Sequence, residues 1–71
     1  MYSSLRKKLL GQKIRELRLA KGLSQVDLGL MIGSSKSQIW ALENGHTNPK
    51  LDTLCKIADA LDVRVSDLIS F

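Results

Sequence analysis

Residues 24–44 read SQVDLGLMIGSSKSQIWALEN, and this stretch decides the fold. Ser24 can cap a helix, and Asp27, three residues on, stands where a shortened capping box places its acid. Leu28 and Ile32 then form a buried stripe up to Gly33. Ser34 or Ser35 caps a second helix that runs to about Asn44, with Ile39 and Leu42 as its buried positions and Gly45 as its stop. Two short helices joined by a tight turn have the proportions of a helix-turn-helix.

Working outward, the apolar residues keep recurring at three and four, and no strand alternation appears. Leu10, Ile14 and Leu17 stripe a first helix that ends at about Lys21, before Gly22. The linker His46 to Asn48 leads to Pro49, placed in the first turn of a fourth helix that carries Leu51, Leu54, Ile57, Ala58 and Leu61. A fifth, short helix begins near Val65 or Ser66 and ends at Phe71. The expectation is an all-α, compact five-helix domain over residues 1–71.

The 71 residues leave room for one core only. With 44% hydrophobic and 25% charged residues and a single Pro, the composition is that of a folded domain. No apolar run approaches a membrane span, and one Cys forms no internal disulfide, so a cytoplasmic protein with no membrane association is expected. A single His, a single Cys and no clustered carboxylates give neither a metal site nor a nucleophile with its base. No enzyme and no cofactor are expected. Cys55, between Leu54 and Ile57, reads as a small, partly buried apolar residue.

Charge is unevenly placed. Residues 1–21 hold seven basic side chains against Glu16 alone, while the rest holds four against six acids. A cationic segment of this kind suits a polyanion such as nucleic acid, or an acidic membrane surface, although a basic solvated helix face is the plain reading. At about 100° per residue, helix 3 turns Ile39 and Leu42 to one side and Lys36, Ser37, Trp40, Ala41 and Asn44 to the other. That face is small and polar except for Trp40. It can enter a major groove, where Lys donates to guanine, Ser donates or accepts, and Ala touches a thymine methyl.

The dense motif of Gly22, Ser24-Gln25, Leu28, Gly33, Ser37, Ile39, Glu43-Asn44-Gly45, Pro49, Leu54, Ile57-Ala58 and Leu61 resembles the Cro/C1-type helix-turn-helix family. The likeness covers about residues 10–69. That family includes lambdoid phage repressors, Cro proteins and controller proteins of restriction-modification systems. The resemblance implies a lambda-repressor-like DNA-binding domain that binds a two-fold operator in double-stranded DNA as a homodimer. It also implies a bacterial or phage-type regulator acting as a repressor, by competition with RNA polymerase, the same architecture being able to activate by touching polymerase. The resemblance assigns base reading to Lys36, Ser37 and Ala41, sometimes with Gln38. It assigns the DNA backbone to Gln25 and Asn44, with Ser35, His46 and Lys50 as weaker candidates and Trp40 beside them. Arg18 and Glu43 match a structural ion pair. Val65, Leu68, Ile69 and Phe71 fall where the subunit contact commonly forms, and the other reading has Val63, Leu68 and Ile69 closing the core over the fourth helix, leaving Val65 and Phe71 for the contact. Gly29 departs from the family, which has Ala there, at a cost of roughly 0.5 to 1 kcal/mol in a helix interior unless packing demands it. Val26 and Leu30 replace polar residues and Trp40 adds an exposed aromatic, which leaves open a protein-interaction module or antitoxin-type partner, bound through these three residues, as a second function.

Overall fold

The computed structural model describes residues 2–71, with side chains from residue 3 onward. Five helices follow in order: α1 (Tyr2–Ala20), α2 (Gln25–Ile32), α3 (Lys36–Glu43), α4 (Leu51–Leu61) and α5 (Val65–Leu68). No strand occurs among the described residues. The expected all-α, five-helix architecture is therefore the one observed.

Both short helices of the turn begin on reciprocal caps. Ser24 Oγ accepts from the Asp27 N–H at 2.9 Å while Asp27 Oδ2 accepts from the Ser24 N–H at 2.9 Å. Ser35, rather than Ser34, is the cap of α3: its Oγ accepts from the Gln38 N–H at 3.2 Å, and Gln38 Oε1 accepts from the Ser35 N–H at 3.2 Å. Each cap satisfies two N–H groups that a helix start otherwise leaves open. Between the helices, Gly33 takes a left-handed φ of 69° and the Ser34 N–H returns to the Gly29 carbonyl at 2.7 Å. This return explains the departure at Gly29. A Cβ there would lie 2.8 Å from the Ser34 carbonyl oxygen, so the turn closes against a bare backbone.

α3 packs between α1 and α2, α4 lies under α2, and α5 closes across α4 and α1. Leu10, Ile14, Leu28, Ile39, Leu42, Ile57, Ala58, Leu61 and Leu68 form the core. Each large aliphatic side chain there contributes roughly 1.5 to 3 kcal/mol by leaving water. A second glycine permits the α1–α3 crossing. A Cβ on Gly11 would lie 2.5 Å from the Leu42 carbonyl oxygen and nearer still to that of Glu43.

Several local expectations need correction. α1 starts eight residues before Leu10, its early turns being mostly exposed and cationic. Pro49 precedes α4 instead of sitting in its first turn, because the first helical bond runs from the Leu54 N–H to the Lys50 carbonyl and makes Lys50 the N-cap. α5 stops at Leu68, short of Phe71. Cys55 is exposed, since it lies past the edge of the stripe formed by Leu54, Ile57, Ala58 and Leu61. Leu68 was assigned to the subunit surface, yet its side chain is wholly inside its own core. Val65 is half-buried against that core, whereas Ile69 and Phe71 are exposed.

Candidate nucleic-acid interface

Ile39 is fully buried and Leu42 nearly so, which fixes the rotation of α3. Lys36, Ser37, Gln38 and Trp40 are then exposed and Ala41 is half-buried. Lys36, Ser37 and Trp40 line one shallow depression. The structure thus places together three of the side chains that the sequence put on the outward face. Gln38 stands less free than expected, because its Oε1 accepts from both the Ser35 N–H and the Ser34 hydroxyl, leaving the amide Nε2 to reach outward.

Behind this face, α3 is tied to α1. Arg18 Nε donates to Glu43 Oε2 at 2.6 Å, and Nη2 to Oε1 at 3.0 Å. The remaining amine, Nη1, donates to the Leu23 carbonyl at 2.7 Å. Both side chains are nearly removed from water. Hydrogen bonding to Glu43 raises the Arg18 pKa further above its ordinary basic value, desolvation opposing it and Coulomb attraction adding to it. The expected ion pair is present with bidentate geometry.

Gln25, the first residue of α2, joins this pair by donating from Nε2 to Glu43 Oε1 at 3.2 Å. A second depression is lined by Arg15, Arg18, Gln25, Trp40, Glu43 and Asn44. Gln25, Trp40 and Asn44 are thereby collected around one concavity next to the exposed face of α3. Asn44 also caps α3, donating from Nδ2 to the Trp40 carbonyl at 2.8 Å. His46 packs its ring against Trp40, with centroids 5.3 Å apart and planes tilted by 50°. Ser35 and Lys50 are exposed but line neither depression. From the sequence, Arg15 counts only as one cation of the basic N-terminal segment, with nothing to single it out. Its signal was its position one turn before Arg18, legible only once Arg18 is known to face Glu43.

Among the described residues, no group of three His, Cys, Asp or Glu side chains could hold a metal ion. Among the same residues, no helix is long and apolar enough to cross a membrane.

The helix-turn-helix family profile matches residues 14–68. The control protein C.BamHI of Bacillus amyloliquefaciens is 39% identical over 64 residues, covering 89% of this chain and 79% of the relative. The cryptic phage CTXphi transcriptional repressor RstR of Vibrio cholerae is 36% identical over 62 residues, which is 87% of this chain and 56% of that repressor. Among solved structures, the restriction-modification controller protein C.AhdI of Aeromonas hydrophila superposes with a TM-score of 0.87 at 38% identity, covering 92% of this chain and 94% of that one. The α3 helix exposed on its polar side, a matching family profile over most of the length and these relatives agree: the chain belongs to the helix-turn-helix family of DNA-binding transcriptional regulators, of the Cro/C1 type.

Proposed function

We propose that the chain binds a two-fold operator in double-stranded DNA as a homodimer and represses the promoter that the operator overlaps. The observation that carries this reading is the exposed Lys36, Ser37 and Trp40 face on a helix whose other side is locked into the core. Lys36, Ser37 and Ala41, with the free amide of Gln38, would read bases, while Gln25 and Asn44 hold the sugar-phosphate backbone beside them. Ser35, His46 and Lys50 are secondary backbone contacts. One such helix reads only a few base pairs, so pairing of two copies supplies the remaining specificity. Exposed Ile69 and Phe71, with half-buried Val65, give the C-terminal end an apolar surface for that pairing. Bound over a promoter in the cytoplasm, the dimer would exclude RNA polymerase.

Mobility shift with the DNA flanking its own gene tests the reading, with Trp40 fluorescence as a second signal because it is the chain's one Trp. Retardation together with a change in emission is expected. Unchanged emission at saturating DNA would put Trp40 outside the interface. For the pairing, Ile69→Asp with Phe71→Asp should give a folded monomer by analytical ultracentrifugation. A variant that remains dimeric moves the interface elsewhere.

A second reading has one observation in its favour. Val26, Leu30 and Met31 on α2 are 48%, 76% and 54% exposed, an apolar surface that a protein partner, such as a toxin neutralised by this chain, could cover. Loss of partner capture in Leu30→Asp, with DNA binding kept, would support it.

A further inference from the structure

We propose that Arg15 completes a seat for a single backbone phosphate of double-stranded DNA, built in the depression between α1, α2 and the end of α3. The inference rests on the DNA-binding reading and adds a residue that neither the sequence motif nor the family likeness assigned.

The depression is lined by two cations, Arg15 and Arg18, and one anion, Glu43. Arg18 turns Nε and Nη2 to Glu43 and Nη1 to the Leu23 carbonyl, so its charge is balanced by Glu43 and three of its five N–H donors are engaged. Without Arg15 the depression would be electrically neutral. With it, the net charge is that needed to balance one phosphate. Arg15 is exposed and forms no ion pair among the described residues, so its guanidinium keeps its donors for a ligand.

The neutral donors are already oriented. Glu43 takes one N–H of the Gln25 amide, and the Trp40 carbonyl takes one of the Asn44 amide. Each amide keeps a second N–H, and each has lost the freedom to swing away. Glu43 is thus a positioning residue for Gln25. The seat also has the right neighbour, for Trp40 lines both it and the depression bounded by Lys36 and Ser37. A strand whose phosphate occupies the seat would run its sugar over Trp40 and present its bases to the reading face.

Fluorescence-anisotropy titration of a mixed-sequence duplex across a salt series tests this, with far-UV circular dichroism confirming that each variant folds. Arg15→Gln should weaken binding about tenfold at low salt, the size of one charged hydrogen-bonded contact. It should also reduce the magnitude of the log–log salt slope by about 0.9, one phosphate's worth of released counterions. Arg15→Lys should keep the slope. Gln25→Ala should weaken binding with the slope unchanged, because an amide neutralises nothing. Lys56→Gln, at an exposed cation lining neither depression, should change neither quantity. An unchanged slope in Arg15→Gln, or an equal fall in Lys56→Gln, overturns the seat and leaves only diffuse attraction. Failure of the wild type to bind any duplex overturns the DNA-binding reading as well.

Discussion

The helix-turn-helix, residues 24–44, holds two short helices and the C-terminal segment, residues 62–71, holds one, and the two regions are held by different means. In the first, nearly every backbone decision has a nearby chemical partner. Two capping boxes start the helices, a left-handed glycine turns the chain, and a buried carboxylate fastens the end of α3 to α1. In the second, one turn of helix is steadied by the Arg64 N–H to Asp67 bond at 2.9 Å and by a single fully buried side chain, Leu68. Its entry residue, Asp62, holds a left-handed φ of 57° without being glycine. The base reading proposed for α3 needs the first kind of construction, since a helix displaced by an ångström would no longer match base edges. A surface that packs against another apolar surface tolerates the second.

The contrast breaks most visibly at Glu43. Glu43→Ala strands the Arg18 charge in a nearly dry site, which costs about 3 to 5 kcal/mol, a large share of what a domain of this size possesses. Urea denaturation should show it, whereas Phe71→Asp should leave the monomer's stability nearly unchanged. Equal losses in the two variants would erase the distinction between the regions.

Gly11→Ala comes next. The new methyl would press on the carbonyls of Leu42 and Glu43, forcing α1 from α3 at an overpacking cost of about 1 to 3 kcal/mol. The urea midpoint should fall, and DNA affinity with it, because α3 hangs from this crossing. A neutral substitution would mean that the crossing is looser than the Cβ geometry demands.

Smaller still is a paired test of the two left-handed residues. Gly33 has nothing within 4 Å of an added Cβ, so Gly33→Ala should cost about 1 to 2 kcal/mol through torsion alone. Asp62→Gly acts in the opposite direction and should stabilise by about 0.5 kcal/mol, relieved torsion outweighing the extra entropy of an unfolded glycine. Its pairing with Lys21 subtracts little, being an exposed contact at 3.9 Å. Thermal melts of both variants would show opposite shifts. Shifts of the same sign would show that something other than φ sets the stability at one of them.

The same contrast explains what could be read from the chain. The five helices were legible because their signals are local: caps at Ser24 and Ser35, stops at Gly22, Gly33 and Gly45, and stripes at three and four. The outward face of α3 was legible because Ile39 and Leu42 fix the rotation. Features that depend on two distant segments meeting were not. Gly11 looks like a weak point in a helix until the α3 carbonyls are known to lie on it. Arg15 looks like one cation among several until the Arg18 charge is seen to be balanced by Glu43. Leu68 and Cys55 were misplaced for the same reason, since periodicity names a buried stripe but not its width or its partner.

The finest difference lies within the turn itself, where two capping boxes of one geometry use different chemistry. Asp27 closes the box of α2, and the box of α3 is closed by the neutral amide of Gln38. The Ser24 backbone N–H, and after it the Ser24 side chain, hold the Asp27 pKa below its ordinary value, with slight desolvation opposing them. A carboxylate whose folded pKa is lowered adds stability above its unfolded pKa of about 3.9 and loses that stability as pH falls through the folded value. Acid should therefore loosen the start of α2 while the start of α3 stands. The amide resonance of Ser24 reports this directly: in a pH titration it should move with a midpoint below about 3.9, and that of Ser35 should stay in place. In Asp27→Asn the Ser24 movement should vanish. A Ser24 midpoint at or above the ordinary value would show that the box does not hold the carboxylate, and a Ser35 amide moving in step would assign the change to general acid unfolding instead of the cap.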